Sequence, residues 1–257
     1  MPANLSLSLG TLYAFLLVLA RVSGAFVFVP FPGANAAPAV ARAVVAVGLT
    51  LALAGRWPAV DTAVVTPSQL TGWALVEAGV GIGIGLAMSM IVEVFVLSAQ
   101  LLGLQAGYGY VSTIDPTTQA DSGILLVFAQ LFAGLLFFST GLDRDILRLF
   151  AASLDRVPPG SYHFGLSSAD SLIHLGGNLF TIALRLALPV IALMVMVDVA
   201  LALLGRVNAQ LQLLHLAFPA KMLIALLVLS WVAVLFPRIC REMGGLALAA
   251  ARHTVGL

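Results

Sequence analysis

The stretch from Leu70 to Leu104 is apolar almost without a break, and nothing else in the chain restricts its fold so strongly. A bilayer core takes about 20 helical residues, whereas this run would extend about 50 Å as one straight helix. It must therefore tilt, bend or project beyond the lipid. Five further apolar segments run from Leu5 to Phe31, Ala36 to Ala54, Gly123 to Leu142, Asn178 to Leu204 and Leu211 to Phe236. Only 9% of the 257 residues are charged and 61% are hydrophobic, against about 25% charged in soluble chains. Too few charges remain to coat a soluble surface. The sequence thus predicts an all-α membrane protein of long bent helices and helical hairpins, forming one membrane domain.

Proline clusters punctuate the connections: Pro30, Pro32 and Pro38, then Pro58 and Pro67, then Pro158-Pro159-Gly160. Between Asp143 and Asp155, the residues Ile146, Leu147, Phe150 and Leu154 share a predicted face, so this piece reads as a short interfacial helix. The first segment has no basic residue before Arg21, so it lacks the cationic start of a cleaved leader and is expected to be retained. With six crossings, one side collects Arg56, Arg144, Arg148, Arg156, Arg238, Arg241 and Arg252, and the other only Arg206. The positive-inside rule then places the arginine-rich side and both termini in the cytoplasm.

Arg21, Arg42, Glu93, Arg185, Asp198 and Lys221 stand inside apolar segments. At mid-bilayer each would oppose insertion by about 2.5 to 3.5 kcal/mol if it faced lipid, so these groups are expected to face protein or water. Arg21 and Arg42 read equally well as residues that snorkel to water. Arg185 and Asp198 lie about 220° apart on a helix and cannot pair with each other. Asp198 and Lys221, on either side of the turn at Gly205 to Gln210, come within about 6 Å of the same depth, which a lysine stem spans. Arg185, Asp198 and Lys221 are therefore candidate polar or subunit contacts.

The run Gly79-Val80-Gly81-Ile82-Gly83-Ile84-Gly85 contains overlapping small-xxx-small spacings, Gly79 with Gly83 and Gly81 with Gly85, suited to close helix packing. It lacks the GxGxxG spacing of a dinucleotide loop. The scattered His163, His174, His215 and His253 and the single Cys240 form no metal-ligand spacing and no nucleophile–base frame. No cofactor, metal or enzymatic activity is expected. A net charge of +1 argues against a nucleic-acid partner.

Between the third and fourth apolar segments stands GLQAGYGYVSTIDPTTQADSG, Gly103 to Gly123. Asp115-Pro116 disfavours helix because proline restricts the residue before it. Tyr108, Tyr110, Val111 and Ile114 make this polar loop amphipathic enough to line or block a passage, although tyrosine is also common at a membrane edge.

This string, with LALPVIALMVMVDVALALLGRVNAQL from Leu186 to Leu211 and AFPAKM from Ala217 to Met222, resembles the FliR/SctT family of type III secretion export-gate proteins. The elements occur in family order over nearly the whole chain. The Asp-Pro loop and GLDRDILRLFAASLDRVPPG are more similar to the flagellar branch than to the injectisome branch. Asn208-Ala209-Gln210 departs from the family, which usually has proline before the glutamine.

The resemblance implies an export gate built with FliP and FliQ, through which unfolded flagellar substrates leave the cytoplasm, with FlhB at the cytoplasmic face and FlhA around it. It implies a FliP-like part over about 1–175 followed by a FliQ-like hairpin over about 176–257. It further implies residence in the bacterial inner membrane, at the flagellar basal body. The family's plug corresponds to Gly107–Gly123, with Gly107, Tyr108, Gly109, Tyr110, Val111, Ile114, Asp115 and Pro116 as gate residues. Setting the resemblance aside, the alternative is a small-solute transporter that uses Arg185, Asp198 and Lys221 as a coupled site.

Overall fold

Ser8 starts the first helix by accepting a hydrogen bond from the Thr11 backbone N–H at 3.2 Å, which satisfies one of the free amides at a helix N-terminus. The computed structural model describes residues 8–29, 39–58, 65–107, 123–162, 166–207 and 213–256. In chain order the helices are α1 (Leu9–Phe26), α2 (Ala39–Ala52), α3 (Pro67–Ala106), α4 (Gly123–Ser139), α5 (Leu142–Arg156), α6 (Leu166–Val207), α7 (Leu213–Val232) and α8 (Phe236–Val255). Short 3₁₀ turns occupy Ala54–Arg56 and Ala233–Leu235. There are no strands among the described residues.

Local chemistry explains most boundaries. Gln69 caps the start of α3, its Oε1 accepting from both the Thr66 backbone N–H and the Thr66 hydroxyl at 3.0 Å. Pro67 occupies the first helical position, where its missing N–H costs nothing. The same helix ends at Gly107, whose φ of 81° lies in the left-handed region that glycine adopts freely. GLQ, Gly103 to Gln105, is therefore the last turn of α3 and not part of the loop that follows. Gly141, also left-handed, precedes α5, which carries Asp143 and Asp145 in its first turn and Arg156 in its last, as the helix dipole favours.

Four helical stretches are long and apolar enough to cross a membrane: Leu9–Phe26, Pro67–Ala106, Ala169–Arg206 and Pro219–Val255. A fifth arises if α4 and α5 make one span together. This count, taken over the described residues, revises the expectation of six crossings. The segment Ala36 to Ala54 yields a helix of only 14 residues, about 21 Å long and too short for the hydrocarbon core. Within α5, Ile146, Phe150 and Leu154 of the predicted face are buried, together with Leu142 and Leu149. Leu147 is instead exposed, because one residue along from Ile146 turns the side chain by about 100°.

Packing divides the chain into two units, one from residues 1–90, 141–176 and 244–257 and the other from 91–140 and 177–243. Helices α3, α6 and α8 contribute to both.

In the first unit the centre is an ion pair. Arg21 of α1 donates from Nε to Glu77 Oε2 of α3 at 2.5 Å, and neither side chain has any exposed area. Its other nitrogens donate to Ser153 Oγ and to the Val157 carbonyl, both at 3.1 Å. Glu77 Oε1 accepts from the Gly160 backbone N–H at 3.0 Å. Arg21 thus does not snorkel to water, and Glu77, absent from the predicted charged set, is its partner.

Glycines make this approach possible. A Cβ on Gly81 would stand 1.9 Å from the Arg21 carbonyl oxygen, and one on Gly85 would stand 2.3 Å from that of Ala25. At Gly83 the nearest atom would be a tolerable 3.7 Å away, on Thr254. Gly79 lies half-buried on α3.

Two outcomes are expected for this unit. Glu77→Leu should lower the unfolding free energy by about 3–5 kcal/mol, the usual cost of leaving a buried charge without its partner, whereas Arg21→Met/Glu77→Leu together should cost less than Glu77→Leu alone. Gly81→Val should prevent recovery of folded protein, while Gly83→Ala should leave the thermal midpoint in detergent nearly unchanged, because only the first collides with backbone.

Candidate functional site

The second unit gathers its polar groups at the end of α3 from which the loop departs. Ser98 Oγ lies 2.6 Å from the Val94 carbonyl and 3.1 Å from that of Ala183, which joins α3 to α6 without leaving a hydroxyl unsatisfied. Two turns further on, Gln105 Nε2 donates to Asp198 Oδ2 at 3.3 Å. Lys221 of α7 closes the cluster by donating to Asp198 Oδ1. The predicted pairing of Asp198 with Lys221 is thus present in the structure. Lys221 is largely buried and Asp198 partly open, at 15% and 39% side-chain exposure.

Each of these groups stands in a strongly apolar helix, and that explains the arrangement. An isolated charge in such surroundings is costly, so opposite charges at matched depth converge. Arg185 takes no part; it is exposed on α6, outside the pair. The structure therefore does not bring the three predicted charges into one coupled site. Glu93 is likewise exposed on α3. Gln105 was not among the predicted site residues, and its signal was a lone amide at the last turn of an apolar helix.

Apolar side chains enclose space beside this cluster. A small void of about 30 Å³ is lined by Phe95, Ser98, Leu102, Leu125, Phe132 and Phe236, among others. A smaller one of about 10 Å³ touches Leu102, Ala106, Leu125, Val190 and Ala225. Edge-on aromatic contacts hold the wall, with ring centroids 5.5 Å apart for Phe95 and Phe236 and 5.6 Å for Phe132 and Phe236. Leu125 belongs to the first turn of α4 and Leu102 to the last turns of α3. Both stems of the loop thus border the same apolar space, and a Cβ on Gly103 would meet Leu125 Cδ2 at 3.9 Å.

Of the predicted gate residues, Gly107 is the left-handed stop of α3. Tyr108, Gly109, Tyr110, Val111, Ile114, Asp115 and Pro116 lie outside the described residues. Among the described residues, no three His, Cys, Asp or Glu side chains gather closely enough to hold a metal ion.

A double-mutant cycle on Lys221→Met and Asp198→Asn should give a coupling of about 1 kcal/mol in detergent unfolding, held to that size by the partial exposure of Asp198.

The family described as bacterial export proteins, family 1, matches residues 12–245. The chain is 29% identical over 140 residues to the flagellar biosynthetic protein FliR of Pectobacterium carotovorum subsp. carotovorum, covering 54% of each chain. It is 25% identical over 146 residues to the protein of the same name from Escherichia coli K12, covering 57% of this chain and 56% of that one. In both cases the match spans little more than half the length of the relative. The Bacillus subtilis protein of that name is 26% identical over 258 aligned positions, covering 95% of each chain.

Proposed function

Because the chain belongs to the bacterial export proteins, family 1, we propose that it is the FliR-type export-gate subunit of the flagellar type III secretion apparatus. In this reading it assembles with FliP and FliQ into the channel for unfolded flagellar substrates. FlhB closes on the cytoplasmic face and FlhA surrounds it, in the inner membrane at the flagellar basal body. The part over about 1–175 acts as the FliP-like portion and that over about 176–257 as the FliQ-like hairpin. The chain serves as a structural channel component and carries no catalysis.

The observation that carries this reading is the family match over residues 12–245, which encloses the loop, its two stems and the Asp198–Lys221 pair. The names of the relatives point the same way. In the proposed mechanism, Gly107–Gly123 is a plug. A closed gate must stop ions yet admit an unfolded chain, and apolar side chains impede ions by dewetting. Tyr108, Tyr110, Val111 and Ile114 supply that barrier, while Gly107 and Gly109 allow the backbone to rearrange. Opening moves the plug aside, and no covalent step is required.

The transporter alternative needed Arg185 in a joint site with Asp198 and Lys221, and Arg185 lies outside that pair.

Gentle solubilisation followed by native mass spectrometry should recover the chain with FliP-like and FliQ-like partners; recovery of the chain alone would count against the assembly. Replacing Gly107–Gly123 with a shorter linker should make cells leaky to ions or small molecules. Unchanged permeability together with unchanged export would remove the plug role.

A further inference from the structure

We infer that one stripe of α6 lies directly against lipid, and that the hydrocarbon of the bilayer extends along it from Arg185 to Arg206. Residues three or four positions apart share a helical face, and this face is exposed along its length. Asn178, Thr181 and Arg185 open it. Past Arg185 the same face turns apolar, through Leu188, Met196, Val199 and Leu203. Arg206 stands 21 positions after Arg185, which is about 31 Å of helix against a hydrocarbon thickness of about 30 Å. Asp198, the one charged residue between them, is neutralised by Lys221.

Three further features mark the boundary at Arg185. Pro189, inside α6, lacks the N–H that the Arg185 carbonyl would otherwise accept. Hydrocarbon offers no substitute donor, whereas water at headgroup depth does. Helix α7 runs back along α6, since Leu186 shares a void with Val232 and Phe236 while Asp198 meets Lys221. Exposed Trp231 therefore falls just inside the level of Arg185 and exposed Arg238 just outside it, the usual flanks of a crossing helix. Helix α3 runs the same way as α6, with Ser98 at the Ala183 carbonyl and Gln105 at Asp198. Glu93, exposed five positions before Ser98, thus lies beyond Arg185 and outside the hydrocarbon. Lipid fits the stripe better than a partner helix because its side chains are large. Close helix contacts in membranes favour small residues four apart, as at Gly81 and Gly85 against α1. Past Arg185 the stripe has one small residue, Ala192, and Leu188 and Met196 flank it.

Lipid contact here does not depend on the export role, and it leaves partner chains to attach elsewhere. A nitroxide would be placed on the full-length chain at Asn178→Cys, Leu188→Cys, Met196→Cys or Leu203→Cys, one site at a time. Cys240 is buried and adds little background. Vesicles from cells that make the chain keep its partners in place. Electron paramagnetic resonance would read collisions with oxygen, which dissolves in acyl chains, and with a water-soluble nickel chelate present on both sides of the membrane. Labels at Leu188, Met196 and Leu203 should collide with oxygen and lose the nickel chelate, and the label at Asn178 should do the reverse. Nickel collisions at Met196 would put the stripe in water, and loss of both reagents there would put it under a protein; either result overturns the lipid face. Leu188 and Leu203 decide the matter if the label at Met196 unfolds the chain. Arg185→Leu with a label at Thr181→Cys tests the boundary, because the longer apolar stripe should sink by about one turn and remove nickel collisions from that label. Unchanged collisions there would overturn Arg185 as the boundary.

Discussion

Arg21 and Glu77 lie on separate apolar helices, and neither could remain there alone. Each has no exposed area, and the two meet at 2.5 Å. Their remaining hydrogen-bonding capacity extends outward to Ser153, the Val157 carbonyl and the Gly160 amide. The pair therefore does more than cancel two charges. The guanidinium satisfies a free carbonyl at the C-terminal end of α5, and the carboxylate receives the left-handed turn after it. Gly160, at φ 91°, sits close enough to Trp73 that an added Cβ would come to 3.0 Å. Nearby, the Tyr162 hydroxyl donates to the Thr254 carbonyl, which ties the end of α8 into the same unit. Buried ion pairs are not strong in themselves, but their geometry is exacting, and that makes them effective in setting register.

Such a pair can form only where backbones approach closely. Gly24 packs against the Ala78 carbonyl as Gly81 and Gly85 pack against α1. In an apolar environment there is little hydrophobic gain from bringing two helices together, so small residues that allow dispersion contact carry much of the association. The glycines and the ion pair thus depend on each other: one permits the distance that the other requires.

The second unit applies the same rule with a different outcome. Asp198 and Lys221 also neutralise each other within apolar helices, but Asp198 remains partly open and shares its second oxygen with Gln105. The Arg21 and Glu77 side chains of the first cluster have no exposed area. The second lies beside two small apolar voids.

Charge scarcity, segment length and helical periodicity are properties of the chain, and they were sufficient for the all-helical membrane class, for α5 as an amphipathic helix and for Asp198 with Lys221, whose depths follow from residue counts across a short turn. Gly81 and Gly85 were visible as a close-packing pair, yet equal spacing did not separate them from Gly79 and Gly83. Only the facing helix decides which glycines meet backbone. The same limit applies to Arg21: hydropathy records a cation in an apolar run, but whether it reaches water or a partner depends on what the fold brings opposite. Glu77, 56 positions away, was supplied by tertiary contact. The length of α2, the extension of α3 through Gln105 and the separation of Arg185 from the ion pair were likewise set by three-dimensional packing, because a one-dimensional pattern shows which residues avoid water but not which neighbours replace it.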